Sequence, residues 1–373
     1  MNQHDSSRAF ARVVTWVAPF AVSLIASATL AADLTPQEKA LIDAAKKEGS
    51  VTILNQKFSD STGRRLAEGF VQKYDLGPNF RFNNLRKGSG AVIAQVRQEI
   101  MAGKHTVDVV LVPAAGFYDE ASKRGAFEPI DSGYWKNHEE GAKAAGQYTN
   151  YPYVVVPYAF SFQPIWNAAC PGFENFSVSS YADVLGPALK GKTIATDITK
   201  STSFAETALG IAESGVDIND LFAKLKATDP VIEFRTEPKM GMVLSCQRPI
   251  DMWNLTGHAQ QEIAKDPKLK NKLRWGTYKE GQVMLGSQVA VLKGAPSPNA
   301  AKLFIEYLLS KEGADVVVSG EAMYSFMEGY VPPNDVKDYL FDTNTTKLIG
   351  LDDWASAEER YKPLRVEWEK TFR

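Results

Sequence analysis

Three times before residue 126 the chain repeats one pattern: a short apolar run, a polar turn, then a segment of helical period. "VTIL" at 51–54 leads through "NQKFSDSTG" into "RRLAEGFVQKY", where Leu66, Phe70 and Tyr74 fall on one face. "FRFNNL" leads through "RKGSG" into "AVIAQVRQEIMAG", and "VDVVLV" through "PAAG" into "FYDEASKRG". Strands alternating with helices predict a parallel α/β sheet, because each parallel pairing needs a crossover long enough to hold a helix. The series opens with a helix of its own. Thr35 is placed to cap it, Pro36 fills its first position, Glu38 completes a capping box and Gly49 ends it.

A second series follows "YVVVPYAFSFQPIWN". It holds helices at "SYADVL", "FAETALGIAES", "DINDLFAKLKA" and "LTGHAQQEIAK", with strands at "KTIATD", "VIEFR" and "PIDMW". A closing helix is expected at about 356–372, with Tyr361, Leu364, Trp368 and Phe372 near helical spacing. The 373 residues, 44% of them hydrophobic, suffice for two domains, and neither internal repeats nor low-complexity stretches interrupt them. A net charge of −2 argues against nucleic acid as a partner.

At the N-terminus Arg8 and Arg12 precede the apolar run "VVTWVAPFAVSLIASATL" and the small residues of "TLAAD". That order reads as a secretory signal peptide cleaved after Ala31 or Ala32; a retained anchor is the rival reading, which Pro19, Ser23 and Ser27 oppose. Cleavage removes two arginines and one aspartate, so the mature net charge becomes −3. Cys170 and Cys246 are the only cysteines, and after export they either pair or persist as buried thiols.

The sharpest motif misleads. "GPALKGKT" (186–193) fits the phosphate loop of nucleotide hydrolases, which needs a strand before it and a helix after it. Here the order is inverted, so Lys192 and Thr193 are expected to enter a strand, and nucleotide hydrolysis is rejected. Zinc-protease and nucleophile-elbow signatures are missing, and His105, His138 and His258 read as surface or satisfied histidines. No enzyme activity, cofactor or metal site is predicted.

The strand-to-helix turns carry more information. Ligands of parallel α/β sheets bind beyond the carboxyl ends of the strands, where helix N-termini present free N–H groups. Ser59, Ser61 and Thr62 occupy the first such turn, Ser89 and Gly90 the second, and Ser201, Thr202 and Ser203 a turn of the second series. Each set can cap its own helix and nothing more. Together they read as the walls of a cleft for an oxygen-rich or anionic group.

The stretch "KGAPSPNAAKLFIEYLLSKEGADVVVSG" (293–320) reads as two consecutive helices, the first capped by Ser297 with Pro298 at its first position, the second capped by Ser310. "APSPNAAKLFIEYLLSKEG" closely resembles a segment of the extracellular solute-binding proteins of ABC importers, in the group containing the ferric-binding and maltose-binding proteins. "AAKKEGSVTIL", "AGKHTVDVVLV", "ALKGKTIATD", "CQRPIDMWN" and "GEAMYSFMEGYVPP" extend the resemblance over the mature chain. It implies a two-lobed α/β fold with each lobe a mixed, mostly parallel sheet flanked by helices. After a signal peptide at 1–32, the first lobe would hold 33–155 and 288–325, and the second 156–287 and 326–373. It implies a monomeric periplasmic protein that closes on a small-molecule ligand and delivers it to a membrane permease. By position, ligand contacts would come from Ser59, Ser61, Thr62, Ser89 and Gly90 on one side, and from Ser201, Thr202, Ser203, Trp253, Asn254 and Tyr324 on the other, with Tyr158 on a crossing strand. Iron-binding members carry adjacent tyrosines, and this chain has no Tyr-Tyr pair. A carboxylate or phosphonate is therefore the expected ligand, ferric iron the alternative, and a secreted hydrolase the remote one.

Overall fold

The computed structural model describes residues 34–351 and 353–373; the predicted signal peptide lies outside them. The strands gather into two main sheets. In the first, the spatial order is Tyr324–Ser325, Val155–Phe160, Leu285–Leu292, Val109–Val112, Ser50–Asn55 and Arg81–Arg86, with Phe127–Glu128 also paired to Leu285–Leu292. Ser50–Asn55 runs parallel to both its neighbours, whereas Leu285–Leu292 runs antiparallel to all of its own. The second sheet is ordered Leu273–Trp275, Gln163–Asn167, Ile250–Asn254, Thr193–Ala195 and Val231–Ile232, the last three parallel. A short pair, Gln282–Val283 with Leu348–Ile349, stands apart.

The chain passes between the sheets at Ser161–Phe162, where the Phe162 ring stacks on Phe204 of the second lobe at 4.0 Å between centroids. It returns at Met284, beside which the side chains of Ser161 and Gln282 hydrogen-bond. The inner strands of both sheets are buried, whereas Arg81–Arg86 and Val231–Ile232 at their edges stay partly exposed.

The first helix, Pro36–Glu48, has the expected capping box: Thr35 Oγ1 accepts from Glu38 N at 3.1 Å and Glu38 Oε2 from Thr35 N at 2.6 Å. Gly49 ends it in the left-handed region at φ 71°, which favours glycine. Pro298–Leu309 departs from expectation, because the Ser297 hydroxyl caps nothing. The Glu48 carboxylate takes that place, accepting from Asn299 N (3.1 Å) and Ala300 N (2.7 Å), while Asp108 accepts from Ser297 N at 2.6 Å. A charged acceptor outcompetes a hydroxyl for these free N–H groups, and the dipole of the helix adds to it. Ser310 does cap the next helix, Lys311–Glu321, accepting from Gly313 N.

The phosphate-loop look-alike runs through a tight turn at Pro187–Leu189 into the strand Thr193–Ala195, and Lys192 Nζ sits 5.8 Å over the Phe173 ring. No helix opens directly from the loop to hold phosphates. Cys170 and Cys246 are joined in a disulfide, with Cα atoms 5.5 Å apart. The closing helix, Ala357–Phe372, continues through Pro363 and packs Trp368 on Phe222 and Phe372.

Candidate functional site

Six strands end at turns that open helices, three in each sheet, and the two sets of turns face each other. Hydroxyls make one of the contacts between them. Ser89, the first residue of helix Ser89–Ala102, accepts from Thr202 N at 3.1 Å and lies 3.2 Å from Ser201 Oγ and 3.3 Å from Ser203 Oγ. Ser201 caps its own helix through Phe204 N. Beside them, a Cβ on Gly90 would stand 3.2 Å from the Lys200 carbonyl, so any larger residue there would push the two turns apart. The structure thus unites Ser89, Gly90, Ser201, Thr202 and Ser203. Two helix N-termini meet there, with their positive ends converging.

Ser59 caps helix Asp60–Lys73 through Thr62 N, and Ser61 is exposed. The Ser59 amide donates to Glu321 Oε1 at 2.7 Å, which ties this turn to the end of helix Lys311–Glu321. The other residues singled out from sequence are spent in the interior. Tyr158 is fully buried and donates to the Leu308 carbonyl. Tyr324 accepts from Phe341 N at 2.8 Å. Asn254 donates to Asp251 and to the Thr236 carbonyl and accepts from Leu255 N, leaving no N–H for an anionic ligand. Trp253, fully buried, lies nearly parallel to Phe204 at 6.3 Å, and its Nε1 has no hydrogen-bond partner among the described residues.

What sequence reasoning missed is a cluster of charge at the same edge. Lys57 follows the first strand and Arg86 ends the second; Glu237 opens helix Thr236–Leu244, and His258 lies in the first turn of helix Thr256–Lys265. Arg86 forms an ion pair with Glu237 across the two sheets, and His258 Nε2 lies 3.9 Å from the same carboxylate. Lys57 is 2% exposed, with Nζ 4.0 Å over the Phe160 ring. Among the described residues its ammonium has neither a carboxylate within ion-pair distance nor a hydrogen-bond acceptor. Burial pushes it down to about 7, against the pull of Glu321 and with the push of Arg86. Burial likewise holds His258 down to about 3, so its ring is neutral at physiological pH.

Lys239 shows what a satisfied buried lysine looks like. Its Nζ lies 3.0 Å from Asp251 Oδ2 and donates to Thr196 Oγ1 at 2.8 Å and to the Trp253 carbonyl. A buried charge is tolerable when it is so paired. Lys57 lacks every one of these partners. The signal that could have revealed it is plain: a basic residue at the carboxyl end of each of two adjacent parallel strands.

The bacterial extracellular solute-binding protein family model matches residues 66–340. The chain belongs to that family. It is 25% identical to an uncharacterized protein of Haemophilus influenzae over 311 residues, 81% of this chain and 84% of that one. The fold is similar to iron-bound HitA from Pseudomonas aeruginosa (17% identity, TM-score 0.68, covering 87% of this chain and 99% of that one). It is also similar to AfuA from Actinobacillus pleuropneumoniae with fructose-6-phosphate bound (18%, TM-score 0.68, 86% and 98%). A third similar structure is the substrate-binding protein of an ABC transporter from Agrobacterium tumefaciens (14%, TM-score 0.73, 87% and 94%). Family members are non-enzymatic transport components, and the two-lobed fold is theirs. They bind small molecules and work with ABC transporter permeases.

Proposed function

We propose that this protein is the periplasmic receptor of an ABC importer for a small organic anion, a carboxylate or phosphate-bearing molecule, held between the lobes. It is exported by a cleaved leader and hands its ligand to the permease as a monomer. The observation that carries the reading is Lys57: a buried amine with no carboxylate within ion-pair distance among the described residues, at the carboxyl edge where the two sheets face each other. An anion arriving there restores the missing partner. Arg86 and the amides and hydroxyls at Ser89 and Ser201–Ser203 add donors from both sides. AfuA, with its sugar phosphate, is a neighbour of matching chemistry.

A ferric-binding reading has HitA as its neighbour. Against it stand the tyrosines: the Tyr158, Tyr278 and Tyr324 hydroxyls are committed to Leu308 O, Met252 O and Phe341 N, and burial pushes all three phenols up, away from phenolate. Calorimetric titration with inorganic phosphate, fructose 6-phosphate, citrate and ferric chloride decides between the two. An anion should bind the wild type, and Lys57→Met should weaken it by at least tenfold, as expected for a charge-assisted hydrogen bond of about 1.5–3 kcal/mol. Coloured ferric binding that survives Lys57→Met would overturn the anion reading.

A further inference from the structure

The cleft already contains an anion of its own. Glu237 stands in the first turn of its helix, and its side chain is 51% exposed. The arginine nearest to it in sequence, Arg235, is occupied by Glu233 at 2.8 Å. Glu237 instead reaches across to Arg86, which belongs to the other sheet, and comes within 3.9 Å of His258. It also lends its field to Lys57. The other carboxylate facing Lys57 is differently placed. Glu321 is buried and fixed by the Ser59 amide at 2.7 Å and Gln261 Nε2 at 3.2 Å. Of the two carboxylates, only Glu237 has water on one side and a single direct ion pair to lose.

We infer that the Arg86–Glu237 pair is a latch: it holds the lobes together without ligand, and an anionic ligand displaces Glu237 from Arg86. Glu237 thereby acts as a built-in competitor that sets how strong an anion must be to enter. The competition rests on the anion reading above, whereas the latch itself does not. The physical argument is exchange. Lys57 and Arg86 lie at the ends of adjacent strands paired in register, Asn55 opposite Arg86. A doubly charged group between them satisfies both cations, where Glu237 satisfies one. Once displaced, Glu237 returns to solvent from a half-exposed position at little cost. A ligand bearing one diffuse charge gains less from the exchange and is disfavoured.

The test uses the full mature chain with Glu237→Gln and Arg86→Gln, read by solution scattering fitted as a mixture of open and closed forms and by calorimetry with inorganic phosphate. Both variants should shift the ligand-free protein towards the open form, by about threefold to fivefold for a half-exposed ion pair. They should diverge in binding. Glu237→Gln should take phosphate several-fold more tightly, having lost its competitor, and Arg86→Gln more weakly, having lost a donor. Unchanged scattering in Glu237→Gln overturns the latch, whatever phosphate does. Weaker phosphate binding in Glu237→Gln overturns the displacement and makes Glu237 a ligand contact. If the wild type binds none of the anions tried, the anion reading and the displacement fall, and the latch stands or falls on the scattering of the two variants.

Discussion

Replacing Lys57 by methionine should make the ligand-free protein more stable, by an amount that depends on pH. Burial moves this ammonium from its ordinary 10.5 to about 7. Between those values the unfolded chain holds a proton that the folded chain has released, so stability rises with pH across the window. The penalty is complete below pH 7 and gone above 10.5. At about 1.36 kcal/mol per pH unit, the displacement corresponds to about 5 kcal/mol as an upper figure. Methionine keeps an apolar stem against Phe160 and never titrates. The variant should therefore gain about 3–5 kcal/mol at pH 6 and less than about 1 kcal/mol at pH 10. Guanidinium unfolding followed by tryptophan fluorescence at pH 6, 8 and 10 measures this, after dialysis of carried-over ligand out of the unfolded chain. Two results would refute the reasoning: no added stability at pH 6, or an advantage that fails to shrink by pH 10. Either would mean that Lys57 is solvated or paired, and the case for an anion would lose its footing.

Sulfate, which does not titrate near neutrality, should bind with constant affinity below pH 7 and then weaken by up to about tenfold per pH unit above it, because the complex keeps Lys57 protonated; titrations at pH 6, 7 and 8 check this. Glu48→Ala should cost about 1–3 kcal/mol by unfolding titration, while Ser297→Ala should stay within about 0.5 kcal/mol, since the carboxylate and not the hydroxyl caps Pro298–Leu309. Replacing both Cys170 and Cys246 by alanine opens a crosslink with a sequence separation of 76 residues. Chain entropy puts the loss at about 4.5 kcal/mol, measured against the oxidised wild type, and it should leave phosphate affinity near wild type.

The fold was legible because hydrophobic periodicity and turn chemistry agreed along the chain. The helices beginning at Pro36, Asp60 and Thr202 each announce themselves by a cap or a first-position proline and are present, whereas helix Ser89–Ala102 follows Gly88 with no side-chain cap, Ser89 being its first residue. The hydroxyl turns were legible too, since small polar residues after a buried strand have few other uses. What sequence could not show is which polar groups find partners inside. Asn254 and Tyr158 look like ligand contacts until their hydrogen bonds to Asp251 and Leu308 are seen. Lys57 and Lys239 are the same residue type and both are buried. Only the third dimension shows that one has Asp251 at 3.0 Å and that the other, among the described residues, has no carboxylate within ion-pair distance. Helix Thr236–Leu244, which brings Glu237 to Arg86, went unforeseen because "TEPKMGMVL" holds a proline and little periodicity.

The place of Leu285–Leu292 in the first sheet has a consequence for how such a chain is made. This strand lies between Val109–Val112 and Val155–Phe160, so the sheet has a missing rung until residue 292 has been synthesised. The helix after it also needs Glu48, some 250 residues earlier, to cap it. A chain emerging N-terminus first therefore cannot complete its first lobe until about four-fifths of it has left the ribosome. On the export proposed above, translocation machinery that threads unfolded polypeptide would meet a chain whose own architecture postpones completion of that sheet.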